Sequence, residues 1–491
     1  MTIPETSSRA IAGLQPKNLW NYFLAISSIP RESGNEEGVR NYLIQFATKN
    51  KLVHHTDKTG NVIIKAPASE GMEHIPPLAL QGHMDMVCVK KEGVIHDFAK
   101  DPIILKRDGD WLKAEGTSLG GDNGVAIALI LDLFSDPEAK HGPLEAIFTV
   151  AEETGLEGAF GLDPSYIQSR KMINLDSEEE GVFYIGCAGG IEVNGTILIE
   201  KEPVPSNETT WAITLDGLFG GHSGGDIHIQ RANAISSMAR FLRIASDSFP
   251  IRIVSIDGGT KRNVIPSVCK ATITLPRDAK EQLYNIGEKV LLDLKKEYEQ
   301  TDAKVQLTIE PVAVTPKQAA SRKQSLALIN ALFLAPHGVE RMSHTIVGMV
   351  ETSSNMAIIR TTDSAFTLIT SHRSSVQSSR DMIARKAMVA FETAGAQVSL
   401  EGPYPAWTPN PESPLAQLCA TAWESFMGKK AKITAIHAGL ECGIINSLIE
   451  GMDSVSLGPN LRDVHSVKER LSISSTAKIA QFLRHLCPII T

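Results

Sequence analysis

Four short apolar runs, far apart in the chain, each stop at a polar cluster or a glycine. Residues 77–80 run into Gln81-Gly82-His83-Met84-Asp85, 146–150 into Ala151-Glu152-Glu153-Thr154-Gly155, 171–175 into Asp176, and 454–457 into Gly458. Short apolar runs of this kind are read as strands. In open α/β sheets, sites form at the carboxyl ends of the strands. Polar residues at those ends therefore converge, while the runs behind them supply the core.

The spaces between the runs fit that architecture. Helical patterning at about 17–28 and 36–50 precedes strands around 61–65 and 77–82. A helix at about 124–135 and strands near 145–150 and 171–175 follow. This alternation predicts an α/β sheet with helices on its faces. The pattern stops near Gly186-Cys187-Ala188-Gly189-Gly190 and resumes near Pro409-Asn410-Pro411, with a helix at about 413–427, a strand at 431–436, a helix at 440–449 and a strand at 454–458. One sheet domain, 1–187 plus 403–491, is thus expected to be split by an insertion, 188–402.

The insertion carries an internal repeat. Gly259-Thr260-Lys261-Arg262-Asn263 leads to the strand 271–275 and a helix rich in Lys and Glu, and Glu351-Thr352-Ser353-Ser354-Asn355 leads to the strand 366–370 and another helix. Two similar α+β halves are expected, about 188–300 and 301–402, each an antiparallel sheet with helices on one face.

At 491 residues, 42 % hydrophobic and 21 % charged, the chain has the length and composition for more than one ordinary globular domain. Its 48 basic and 56 acidic residues give a net charge of −8, which argues against nucleic acid as a partner. No apolar stretch approaches the roughly 20 residues of a membrane span. The start, Met1-Thr2-Ile3-Pro4-Glu5, has neither a basic region nor a continuous apolar one, so a cytoplasmic location is expected. The six cysteines, Cys88, Cys187, Cys269, Cys419, Cys442 and Cys487, form no paired spacing and are read as reduced thiols.

The chemistry rests on the polar clusters. In His83-Met84-Asp85, strand periodicity puts both polar side chains on one face, where Asp85 can orient the imidazole. Ser118-Leu119-Gly120-Gly121-Asp122-Asn123-Gly124 opens a helix. It has neither the Lys-Ser/Thr pair of a phosphate loop nor Gly-x-Gly-x-x-Gly, and an aspartate at its centre repels phosphate; a helix N-cap is its ordinary alternative. Of the adjacent Glu152 and Glu153, one faces a metal and the other the substrate, giving Glu153 as ligand and Glu152 as general base. Asp176-Ser177-Glu178-Glu179-Glu180 leaves four carboxylates open as ligand, with the one nearest the strand end favoured. His465 lies in a polar loop, Asn460-Leu461-Arg462-Asp463-Val464-His465-Ser466. His83, Asp122, Glu153, Asp176 and His465 together form a mixed nitrogen and oxygen set suited to zinc, with manganese or cobalt as substitutes, rather than magnesium. Two such cations about 3.5 to 4 Å apart suit the hydrolysis of an amide.

Gly82-His83-Met84-Asp85, Gly121-Asp122-Asn123-Gly124, Glu152-Glu153-Thr154-Gly155, Asp176 through Gly181 and the late His465 occur in an order that resembles the M20 metallopeptidase family, most closely its aminoacyl-histidine dipeptidase branch. The resemblance spans nearly the whole chain. It implies a zinc-peptidase-like α/β catalytic domain with a central mixed sheet, interrupted by an α+β lid domain. It also implies two zinc ions bridged by Asp122, with His83, Glu153, Asp176 and His465 as terminal ligands, Glu152 as base and Asp85 in support. In the lid, His222 of Gly220-Gly221-His222-Ser223-Gly224 is the expected oxyanion donor, Asn263 a substrate-binding residue, and Arg373 the partner of the substrate's carboxylate. Glu441, in His437-Ala438-Gly439-Leu440-Glu441, is the expected holder of a free amino group.

The implied activity is cleavage of unblocked dipeptides, preferentially Xaa-His including β-alanyl-histidine. Deacylation of N-acylated amino acids or peptides is the alternative, and a degenerate metal-binding scaffold or a nucleotide binder lies further off. A homodimer through the lid is the expected assembly. Two positions depart from the family pattern: Asp463-Val464 stands where Gly-Pro is expected, and Gly121 where alanine is more usual.

Overall fold

The computed structural model describes residues 3–314 and 316–490. The chain divides into two compact units: Met1–Gly186, Pro409–Ala435 and Leu440–Thr491 in the first, Cys187–Thr408 and Ile436–Gly439 in the second.

The first unit is built on an eight-stranded mixed sheet, in the order Val53–Thr56, Val62–Ala66, Leu144–Thr149, Leu78–His83, Lys171–Asn174, Asp453–Ser456, Val182–Cys187, Lys432–Ile436. The four strands from Leu144–Thr149 to Asp453–Ser456 run parallel to their neighbours in that group, with antiparallel partners on either side. Every residue of Leu78–His83 and Leu144–Thr149 is buried, which is why neither shows the apolar–polar alternation of a half-exposed strand. The helix Gly121–Phe134 is buried continuously from Asn123 to Leu133, as an all-round apolar helix must be. It packs on the strand Leu78–His83 and on the helix Lys17–Ser27. Gly82 permits that approach, since a Cβ there would sit 2.6 Å from Ala126 Cβ.

A second, four-stranded sheet of this unit orders Leu461–Arg462, Arg470–Ser472, Trp111–Ala114 and Leu105–Asp108. Its strands are too short to leave a periodic signal in sequence. The hairpin formed by the first two carries His465 in its loop.

The second unit is built on a nine-stranded antiparallel sheet made of two β-α-β-β-α-β motifs. One comprises Glu208–Asp216, Ala234–Ser248, Arg252–Gly258, Cys269–Pro276, Lys280–Glu297 and Gln306–Pro311. The other comprises Gly189–Leu198, Arg322–Leu334, Val350–Thr361, Ala365–Ser374, Gln377–Glu392 and Gln397–Tyr404, with Gly338–Met342 as an extra strand. Both follow the same sheet order: fourth strand, first, third, second. The first strand of the second motif precedes the whole of the first motif, so the repeat is nested rather than serial. The motifs join through their second strands, with Gly258 opposite Ile359. Phe241, Leu283, Leu328 and Phe391, one from each helix, share a single core with Ile273 and Phe366 of the strands. Along Ala365–Ser374 buried and half-buried residues alternate, as expected where only one face of a sheet is covered.

Candidate metal centre

Three parallel strands deliver the first unit's polar side chains to one end of the sheet. His83 closes Leu78–His83, Ala151-Glu152-Glu153 follows Leu144–Thr149, and Asp176 follows Lys171–Asn174. His83 Nε2 lies 3.0 Å from Asp122 Oδ1 and 3.4 Å from Asp176 Oδ1. His465 Nε2 lies 3.1 Å from both Asp122 Oδ2 and Glu153 Oε1. The five residues expected as ligands are therefore brought together as two groups, His83, Asp122 and Asp176, and Asp122, Glu153 and His465, which share Asp122. Of the four carboxylates in 176–180, Asp176 is the one in these groups. A third set, His83, Glu152 and Glu153, also lies within ligand spacing.

Asp85 is fully buried and serves several partners. Its Oδ1 accepts from Glu152 N at 3.1 Å and stands 3.2 Å from His83 Nδ1; its Oδ2 accepts from Glu153 N at 3.2 Å and from Ser33 Oγ at 2.7 Å. One carboxylate thus orients the imidazole and both glutamates. The turn that presents those glutamates is held by Glu36, whose Oε1 accepts from Ala151 N at 3.0 Å. Ala151 and His465 both have left-handed backbones, with φ of 47° and 57°, a conformation that persists only where the surroundings enforce it.

The electrostatics are those of crowded anions. Burial, with the nearby Asp122 and Glu153 charges, pushes Asp176 up to about 7 against the pull of His83. Burial, then Asp176, Glu441 and Glu153, holds Glu152 well above the usual carboxylate range. Burial also opposes the charge on Asp122, but its bonds to His465 and His83 prevail and keep it ionised. Bonding to Asp122 and Glu153 lifts His465 to about 11. Two imidazoles facing three clustered carboxylates is a donor set that a divalent cation fits, and a cation there reverses the mutual repulsion of the carboxylates.

Glu441 opens the helix Glu441–Leu448 and is fully buried. Its Oε2 accepts from Gln81 Nε2 and, at 2.7 Å, from Thr149 Oγ1; its Oε1 has no hydrogen-bond partner among the described residues. Burial and the Asp176 charge push it up to about 7.

The other three expected residues lie in the second unit. Gly221–His222 pairs with Val264–Ile265, and Asn263 O accepts from Ser223 N at 2.9 Å, so His222 and Asn263 are neighbours. His222 Nδ1 accepts from Gly224 N and Gly225 N at 3.2 and 2.9 Å, which fixes the neutral ring with its proton on Nε2. Arg373 donates from Nη1 to Tyr404 Oη at 2.9 Å, while its buried Nε has no partner among the described residues. Gly224 fills the gap between them: a Cβ there would lie 3.2 Å from the His222 ring and 3.4 Å from Arg373 Nε.

His437 also belongs to this cluster, although in sequence its motif points to Glu441. Its Nε2 lies 2.7 Å from Ser353 Oγ, and burial, then the charges of Arg373 and His222, pushes it down to about 3. Arg31 and Glu469, both buried in the first unit, carry no sequence signal of a role. Neither stands in a motif.

Residues 79–488 match the family model described as peptidase family M20/M25/M40. The chain is 38 % identical over 476 residues to the cytosol non-specific dipeptidase of Escherichia coli K12, covering 97 % of this chain and 98 % of that protein. The crystal structure of aminoacylhistidine dipeptidase from Vibrio alginolyticus aligns with a TM-score of 0.91 at 38 % identity, covering 98 % of each chain. A tripeptidase from Staphylococcus aureus shares the fold at 16 % identity, with a TM-score of 0.57 over 97 % of this chain and 99 % of that one.

Proposed function

The chain belongs to peptidase family M20/M25/M40, and on that footing we propose that it hydrolyses the peptide bond of unblocked dipeptides, Xaa-His and β-alanyl-histidine among them. The observation that carries this reading is Asp122, whose two oxygens reach into two separate donor groups. The substrate class and a cytosolic setting are taken from the E. coli and Vibrio relatives. Zinc is the proposed metal, two ions per chain, with manganese or cobalt as substitutes. His83 and Asp176 would hold one ion and Glu153 and His465 the other, with Asp122 contributing to both. When bound, such a pair lowers the pKa of water toward roughly 7 and polarises an amide carbonyl.

The side chains supply the rest. Glu152 takes a proton from the attacking water and delivers it to the leaving amine, a role worth about 10² to 10⁴ in rate. Asp85 holds that glutamate's backbone and the His83 ring. From the second unit, His222 donates its Nε2 proton to the oxyanion, Arg373 pairs with the terminal carboxylate through the guanidinium face that lacks a partner, and Asn263 binds substrate beside His222. Glu441, with one buried oxygen uncommitted, receives the free ammonium; an unchanged KM for dipeptides in Glu441→Gln removes that assignment. The proposed assembly is a homodimer through the second unit, whose helices expose Phe333, Leu334 and Met382; light scattering measures it.

The test is histidine release from β-alanyl-histidine and from its N-acetylated form, using metal-stripped protein restored with zinc. Release from the free-amine substrate alone is expected. Cleavage of the blocked substrate alone moves the assignment to deacylation, and silence on both removes the peptidase reading.

A further inference from the structure

Glu469 accepts hydrogen bonds from four consecutive backbone N–H groups. Its Oε2 takes Leu119 N at 2.7 Å and Gly120 N at 3.0 Å, and its Oε1 takes Gly121 N at 2.8 Å and Asp122 N at 3.3 Å. N–H groups at the start of a helix need outside partners. Here the partner comes from another segment, the hairpin loop of His465, four residues further on. One carboxylate therefore ties the loop that carries Asp122 to the loop that carries His465.

Arg31 grips the same loop through its carbonyls. Its Nη2 donates to Gly120 O, and its Nη1 donates to Met84 O at 3.1 Å and Asp85 O at 2.7 Å. The loop's N–H groups thus go to an anion and a carbonyl to a cation, and the cation's other bonds hold the backbone just after His83. Both side chains are almost fully buried, at 2 % exposure for Arg31 and 3 % for Glu469. Burying such charges is costly unless their hydrogen bonds are made. Charge-assisted bonds are roughly twice as strong as neutral ones, and the planar guanidinium fork can span two carbonyl groups where an ammonium cannot. The glycines of the loop carry the imprint: a Cβ at Gly120 or Gly124 would collide with Arg31 Nη2.

We infer that Glu469 and Arg31 are positioning residues that set the spacing of the segments bearing His83, Asp122 and His465, and through it the affinity and geometry of the metal centre. The inference rests on the reading of those three residues as ligands. Its test titrates the metal-stripped full-length chain with Co²⁺, recording the dissociation constant and the visible d–d spectrum beside the melting temperature.

Glu469→Gln places an amide NH₂ against two loop N–H groups. It is expected to weaken Co²⁺ binding 10- to 100-fold, the usual range for partners that orient ligands, and to change the d–d bands. Arg31→Lys keeps the charge but loses the fork, and is expected to shift both readings the same way by less. It carries the test if Glu469→Gln does not fold. Wild-type affinity and bands in the folded variants, even with lower melting temperatures, overturn the inference. Asp122→Asn separates it from the underlying reading: if this variant binds Co²⁺ as tightly as wild type, the ligand assignment fails, whereas lost binding there with unchanged binding in Glu469→Gln and Arg31→Lys removes only the positioning role.

Discussion

In the first unit desolvation falls on carboxylates: it pushes Asp176 and Glu441 up to about 7 and holds Glu152 higher than the usual range. In the second it falls on histidines, driving His337 down to about 4 and His372 and His437 to about 3. The same penalty on the charged form has opposite chemical results. Crowded acids at the ends of parallel strands make a trap for cations. Histidines desolvated in the antiparallel sheet unit stay neutral. Architecture explains the split, because parallel strands aim their carboxyl ends at one place whereas an antiparallel sheet spreads its polar residues over a face.

The comparison assigns proton transfer to the first unit, and Glu152→Gln is the harshest test of it. The expected outcome is a kcat about 10² to 10⁴ lower with Co²⁺ affinity intact. Glu152 also lies within ligand spacing of His83 and Glu153, so a parallel loss of metal would make it a ligand and leave the base unassigned. His222→Ala is next. Removing an oxyanion donor costs about 10² to 10³ in kcat, and because the residue lies in the second unit, cation affinity is expected to stay at the wild-type value. A change in that affinity would mean that the two units do not divide the work as described.

What was legible in sequence follows the same divide. The strands ending at His83, Thr149 and Asn174 were readable because burial on both faces leaves short, mostly apolar runs without alternation, and the polar residues after them fell where α/β sheets place sites. The helix Gly121–Phe134 was readable for the same reason. The small sheet holding His465 was not, since Leu461–Arg462 and Arg470–Ser472 are too short for any period. The repeat in the second unit was visible in the shared strand-then-helix order that follows each Thr-x-x-Asn segment, but its nesting was not: that Gly189–Leu198 pairs with Ala365–Ser374 is a fact of long-range strand pairing, with no local signal. The matched segments are not equivalent either, because Asn355 lies within a strand while Asn263 lies in the turn after one. Arg31 and Glu469 escaped because each serves backbone atoms, and backbone partners leave no trace in side-chain spacing.

The buried histidines give the next smaller effect. Each is neutral when folded and has a folded pKa below the unfolded value of about 6.5. The unfolded state therefore holds more protons between the two values, so the stability they contribute is complete above about 6.5 and is lost as pH falls through that window. Between pH 7 and pH 5 the loss is about 2 kcal/mol per histidine, set by the unfolded value alone as long as the folded pKa stays below 5. His372→Gln is expected to remove that share from the difference in stability between the two pH values, measured by denaturant titration at each. An undiminished difference would mean that His372 is protonated in the folded protein, and the contrast with the carboxylate unit would lose one of its members.

The smallest effect concerns strain, which is also unevenly divided. Of the non-glycine residues with positive φ, Lys51, Ala151, Leu156, Asp463 and His465 belong to the first unit and Gln230 to the second. Asp463 has a φ of 56°, a region that glycine adopts without penalty, so Asp463→Gly asks how much strain the His465 loop stores. Relief of a left-handed residue is worth about 1 to 2 kcal/mol in general and less for aspartate, which tolerates that region. Against it stand the extra unfolded-state freedom of glycine, about 0.4 to 1 kcal/mol, and the loss of the pair with Arg470 at 3.3 Å, worth about 0 to 1 kcal/mol because both partners are exposed. These offset one another, and the expected change is within about 0.5 kcal/mol, a melting shift of no more than about 2 °C. A larger rise would show that the loop holds His465 under real strain; a larger fall would show that Asp463 and Arg470 brace it.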